Sequence, residues 1–192
     1  EGLFEKKLNL NNKKTGRDGF MKEAMKMVAD LMAVAAKTAP KARGDDFIEI
    51  KVITGEKLNE IADAMREYGE KRGKNNFDRD GENVRNSDAL LLLSLNKPAV
   101  TGLNCGACGF SKCKDLKVKK GPEFDGGICA WRLIDLGIAA GSAVKTASIL
   151  NADNRVMYRV GVVAKRLNII EGEIVLGIPI SARGKNIYFD RK

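Results

Sequence analysis

The chain has 192 residues, 44% of them hydrophobic and 31% charged, a balance that excludes a wholly disordered polymer. It contains no histidine, so imidazole bases, Ser–His and Cys–His pairs and HExxH zinc sites are excluded. The formal net charge of +9 favours anionic partners: nucleic acid, phosphorylated ligands, or acidic proteins such as small ferredoxins.

At this length a compact domain of roughly 150 residues with an appendage is expected. The longest apolar run, Leu31 to Ala36, falls well short of the roughly 20 residues a bilayer span takes. The stretch from Glu1 to Phe20 is charged and lacks the apolar core of a signal peptide. The expectation is a cytoplasmic protein without a membrane partner.

Residues 1–20 read as a polar, basic arm carrying Lys6, Lys7, Lys13, Lys14 and Arg17. From Met21 the periodicity becomes helical. Met21, Met25, Val28, Met32 and Ala35 form one stripe, and Ala24, Met27, Leu31 and Val34 a second. A helix apolar over so much of its circumference is expected to be buried, and to stop before Pro40. Phe47 to Ile53 alternates as a half-buried strand does. After the Thr54-Gly55 turn, Leu58, Ile61, Ala62 and Met65 mark a second helix, followed by a charged loop from Glu70 to Asn76. Ala89 to Leu95 is almost continuously apolar, the pattern of a central strand buried on both faces.

Beyond the cysteine segment, Trp131 to Leu150 reads as a helix rich in Ala and Gly, suited to close approach to another backbone. Asn151 to Asn154 breaks the pattern, and Val156, Val160, Val163 and Leu167 define a further helix. A last strand, Glu173 to Ile178, meets Pro179. The order describes an α+β domain over 21–192 with an insert at about 101–130.

All four cysteines lie in that insert, as Cys105, Cys108, Cys113 and Cys129, with the spacing C-x2-C-x4-C-x15-C. Without a secretion signal, so tight a group reads as metal ligands before disulfides. Gly106 and Gly109 allow positive φ beside the first pair and let amides face the sulfurs. Two C-x-x-C knuckles, the usual zinc pattern, are absent, as is the C-x2-C-x2-C run of bacterial ferredoxins. A [4Fe–4S] cluster therefore leads, with Cys105, Cys108, Cys113 and Cys129 as ligands and a structural zinc site as the alternative. A cluster capped by four cysteines has no open position for substrate, which points to electron transfer. No catalytic residue is assigned. Lys112, Lys114, Lys117, Lys119 and Lys120 surround and follow the third ligand. They fit a docking surface for an acidic electron-transfer protein, or a solvated loop.

NCGACGFSKC followed by a distant GGIC resembles the four-iron domain of electron-transport subunits and corrinoid iron–sulfur proteins. Further segments agree with one family: KTAPKARG (37–44), SDALLLL (87–93), GLNCGACGF (102–110), IDLGIAAGSAV (134–144), DNRVMYRVG (153–161) and LGIPISARGKNIYFDR (176–191). Together they resemble the uncharacterised ferredoxin-domain-containing proteins of archaea and anaerobic bacteria, over about Met21 to Lys192. AAKTAP and IDLGIAAGSAV are also similar to segments of nitroreductase-like flavoproteins. That likeness implies a nitroreductase-like mixed sheet flanked by helices, a homodimer, and FMN at its interface. Arg43, Arg183 and Lys185 are the cations available to a flavin phosphate, although Lys41 to Asp45 departs from the flavoprotein pattern. The competing class is a basic nucleic-acid-binding protein with a structural cluster. Against it, only 6% of the chain is aromatic, with no interleaved basic patch for base stacking.

Overall fold

The computed structural model describes the backbone of residues 2–189 and the side chains of residues 19–189. Among the described residues four strands form a single sheet in the order β1-β2-β4-β3. These are β1 (Ile48–Ile53), β2 (Ala89–Leu95), β3 (Asp153–Asn154) and β4 (Ile174–Ser181). Five helices flank it: α1 (Gly2–Thr38), α2 (Glu56–Arg72), α3 (Phe77–Arg85), α4 (Ala130–Ile149) and α5 (Tyr158–Arg166). The architecture is α+β, and where a mixed sheet was expected all three ladders are antiparallel.

β2 organises the layers. All seven of its residues are buried, because it pairs with β1 on one side and β4 on the other. Strand alternation then divides its leucines between two cores. Leu91, Leu93 and Leu95 join α1 and α4, while Leu90 and Leu92 join α2, α3 and α5. Burying each such side chain contributes about 1.5–3 kcal/mol. On the first face, Ala29 and Ala36 of α1 and Ala139, Ala143 and Ala147 of α4 are fully buried, so the small residues bring two helices together as expected.

Several boundaries differ from the sequence expectation. The backbone is helical from Gly2, so α1 begins well before Met21. The side chains of the expected 1–20 arm lie, apart from Gly19 and Phe20, outside the described residues. The second apolar stripe of α1 is not buried: Met27, Leu31 and Val34 face outward. The sheet and α4 cover only one side of the helix, and no other described element covers the rest. α2 continues to Arg72, into the expected loop, and stops at Gly73, whose φ of 60° lies in the left-handed region. α3 escapes sequence reading because only Phe77 and Val84 are apolar and buried in it, one face of a nine-residue helix. Its Gly81 packs so tightly on α2 that a Cβ would lie 3.0 Å from the Ala62 carbonyl. α5 starts at Tyr158, leaving Val156 outside, and the break at 151–154 contains β3.

Pro179 does not end the last strand; β4 runs through it to Ser181. Gly177 exchanges both backbone hydrogen bonds with Met157, on the β3 side. By alternation the Pro179 nitrogen faces that same side, where pairing lapses between Asn154 and Met157, so the missing N–H costs no ladder bond. α5 lies directly on β4 at the same place. A Cβ on Gly161 would sit 1.8 Å from the Val175 carbonyl oxygen, and one on Gly177 would meet Val160 Cβ at 2.6 Å. Among the described residues no helix is long and apolar enough to cross a membrane.

Near the C-terminus Tyr188 is 1% exposed, with its hydroxyl 2.9 Å from Ser87 Oγ. Burial pushes that hydroxyl up to about 12, against the pull of the Ser181 and Ser87 hydroxyls. The folded value lies above the unfolded one of about 10. Its stabilising contribution is therefore complete below pH about 10 and lost as pH rises towards about 12. Denaturation measured across that window should show this loss. Tyr188→Phe should flatten the alkaline slope while lowering stability at neutral pH by about 1 kcal/mol through the lost hydrogen bond.

Candidate metal centre

The cysteine loop leaves the C-terminal end of β2 and returns at the first turn of α4. That turn is anchored by Arg132, which is fully buried. Its Nε donates to the Ala99 carbonyl at 2.9 Å, Nη1 to Ala42 at 2.9 Å, and Nη2 to Asp45 Oδ2 at 2.7 Å. Asp135 Oδ2 lies 3.2 Å from Nη1, while Asp135 Oδ1 accepts the Ala42 N–H at 2.7 Å. The Phe47 ring closes one side, 4.7 Å from the guanidinium carbon. A buried charge is tolerable only when paired and hydrogen-bonded in this way. Arg43, held at φ 61° in the turn Ala42–Gly44, donates to the Thr101 carbonyl at 2.8 Å. The segment 99–101 is thus fastened across the start of α4.

This places the Thr101 hydroxyl 3.6 Å from Cys129 Sγ. Cys129 is buried immediately before α4. Burial opposes ionisation of its thiol, yet the Thr101 amide and hydroxyl and the Trp131 and Arg132 amides outweigh it and hold the thiol below its ordinary value. Cys105 is exposed and accepts a hydrogen bond from Trp131 Nε1 at 3.3 Å. The Ala107 amide and the Trp131 indole lower its pKa, and the neighbouring Cys129 opposes them. Cys113 is clasped by Asn104, whose amide donates to the sulfur at 3.3 Å and whose Oδ1 accepts the Cys113 N–H at 2.9 Å. Cys108 lies in the turn closed by the Gly109 N–H to the Gly106 carbonyl, 2.9 Å. The return to Cys129 passes through Gly127, at φ 79°, where a Cβ would strike the Lys117 carbonyl at 2.1 Å. The five lysines from Lys112 to Lys120 are exposed on this loop.

The donor chemistry suits a thiolate-bound metal centre: four thiols on one loop that ends at the start of α4, three with N–H or O–H groups beside the sulfur. Among the described residues, however, no three Cys, Asp or Glu side chains form a group able to hold a metal ion. The flavin-phosphate cations do not converge. Arg43 lies at the C-terminal end of β2, whereas Arg183 contacts the Asn86 carbonyl at 3.1 Å and Asp88 Oδ1 at 3.2 Å, before that strand begins. The seven residues of β2 separate the two by about 20 Å at roughly 3.3 Å per residue. Lys185 follows Arg183 in sequence. Thr101, Asn104 and Trp131, which face the sulfurs, follow no spacing rule that would single them out beforehand.

The class the structure defines is one of fold: an α+β fold similar to that of nitroreductases. It is similar to nitroreductase A from Vibrio parahaemolyticus RIMD 2210633, with a TM-score of 0.52 and 12% identity over 86% of this chain and 61% of that one. It is also similar to a nitroreductase with bound FMN from Desulfitobacterium hafniense DCB-2, with a TM-score of 0.54 and 12% identity over 83% and 78%. The chain thus spans about three fifths of the Vibrio protein's length, and at such identity the likeness is one of fold. In sequence the chain is 48% identical to an "Uncharacterized protein" of Archaeoglobus fulgidus over 174 residues, 90% of this chain and 94% of the relative. Residues 125–191 match the family described as "Uncharacterized protein containing a ferredoxin domain", and the chain belongs to that family. Of the four cysteines the matched segment holds Cys129.

Arg132→Met leaves the Asp135 carboxylate buried without its cation, and should destabilise the protein by about 3–5 kcal/mol in denaturant titrations. Adding Asp135→Leu should recover part of that loss, since the orphaned charge is then gone as well.

Proposed function

We propose that the chain carries a [4Fe–4S] cluster on Cys105, Cys108, Cys113 and Cys129 and acts in electron transfer or a redox reaction, with an acidic electron-transfer protein as partner. The observation that carries this reading is the gathering of all four thiols into a single segment of the chain. Every cysteine of the chain lies in the one loop fastened to the start of α4. Membership of a ferredoxin-domain family supports a redox role. Such a cluster supplies one-electron transfer. Cys129 is the buried anchor, set by Thr101 and α4. Cys105 and its neighbours lie at the solvent side, where the glycine turns at 106 and 109 let the loop draw in around a metal. The exposed lysines would stabilise the more negative, reduced form and steer an acidic carrier to that side. The apolar face left by Met27, Leu31 and Val34 of α1 and Ile134 and Ile138 of α4 supports the expected homodimer. A flavin has less support, because Arg43 and Arg183 stand apart.

Protein purified without oxygen should be brown, with about four irons and four sulfides per chain. Cys113→Ala should lose the cluster or convert it to a three-iron form. Colourless protein with one zinc per chain would instead make the site structural. Charge reversal tests the partner. Lys114, Lys117 and Lys119 changed together to Glu should slow reduction by an acidic ferredoxin at low salt and leave a small neutral mediator unaffected. If the same variant loses DNA or RNA binding while ferredoxin rates stay unchanged, the nucleic-acid reading replaces this one.

A further inference from the structure

Hydrogen bonds to the sulfurs of an iron–sulfur cluster raise its reduction potential, because they stabilise the form with more negative charge. Two side chains of this chain are placed to make them. The Thr101 hydroxyl lies 3.6 Å from Cys129 Sγ, and Trp131 Nε1 donates to Cys105 Sγ at 3.3 Å. A metal-bound thiolate carries no proton, so the Thr101 hydroxyl must be the donor of its pair.

The two contacts differ in what could replace them. Cys105 is exposed, so water can take the place of the indole N–H. Thr101 and Cys129 are both buried, Thr101 to 1% exposure, so water cannot replace the hydroxyl there, and the sulfur keeps only the backbone amides beside it. Among the described residues the Thr101 hydroxyl makes no other hydrogen bond, so it is committed to the sulfur. Its position is set from both ends: Arg43 holds its carbonyl and the buried Arg132 holds that of Ala99.

We infer that Thr101 is the residue that sets the cluster's reduction potential, by donating to Cys129, and that Trp131 adds a smaller contribution in the same direction at Cys105. Arg43 and Arg132 act as positioning residues that keep Thr101 in place. The inference rests on the cluster reading above.

The test is a redox titration of the cluster-loaded protein followed by electron paramagnetic resonance, with iron content measured on each sample. Thr101→Val removes the hydroxyl at nearly constant shape and should make reduction on the order of tenfold less favourable, about 59 mV more negative for one electron. Thr101→Ser keeps the hydroxyl and should stay close to the parent. Trp131→Phe should shift the same way by a smaller amount. If Thr101→Val does not retain iron, Thr101→Ala takes its place, with the same shift expected. Iron-loaded variants lacking the hydroxyl but holding the parent potential overturn the inference and leave the cluster reading standing. A shift in Thr101→Ser as large as that in Thr101→Val also overturns it, because the hydroxyl is then not the cause. Parent protein without iron overturns the cluster reading itself, and with it this inference.

Discussion

A guanidinium buried at the first turn of α4 holds together segments that are far apart in the chain. Arg132 reaches the Ala42 carbonyl and the Asp45 carboxylate on one side and the Ala99 carbonyl on the other. Asp135, one turn along the helix, supplies the compensating charge and takes the Ala42 amide as well. The end of α1, the entry to β1, the exit from β2 and the start of α4 therefore meet at a single charge. The guanidinium itself is shut off from water, so its protein partners must satisfy it, while the Asp45 carboxylate keeps about half of its surface in solvent. The cysteine loop begins and ends at that junction, so the position of Cys129 relative to Thr101 depends on it.

The layered body makes the junction possible. Successive leucines of β2 point to opposite faces and fill both cores at once, which binds α1 and α4 on one face and α2, α3 and α5 on the other into one unit. On one face, alanines let α1 and α4 approach closely; on the other, Gly161 and Gly177 let α5 rest on the backbone of β4. A rigid α4 gives Cys129 a fixed location. The other three cysteines sit on the loop, where glycine turns and the Asn104 clasp define the local path.

The thiols are unequal in consequence. Cys129 is shielded and surrounded by polarised N–H and O–H groups, while Cys105 faces solvent with the Ala107 amide and the Trp131 indole beside it. Lysines crowd the exposed side of the loop, and the buried side holds the Arg132 charge. Under the proposed function, those lysines would be the surface that meets an acidic carrier.

Read alone, the sequence determined a good deal. The unbroken apolar run of β2 marked it as the central strand, since only a strand buried on both faces needs no polar positions. The four-cysteine spacing located the candidate ligands, and the quoted segments identified the family. Alternation and helical period are local properties, which explains why they survive in a one-dimensional string. What covers a face is not local. The outward stripe of α1 looked like core, because its periodicity says which residues align and nothing about which side is covered. α3 stayed hidden because two apolar residues and a glycine against α2 suffice for it. Pro179 could remain inside β4 because pairing lapses on the side its nitrogen faces. The separation of Arg43 from Arg183, and the meeting of Thr101 with Cys129 across 28 residues, were decided by the tertiary structure alone, because such distances follow from how strands and helices stack.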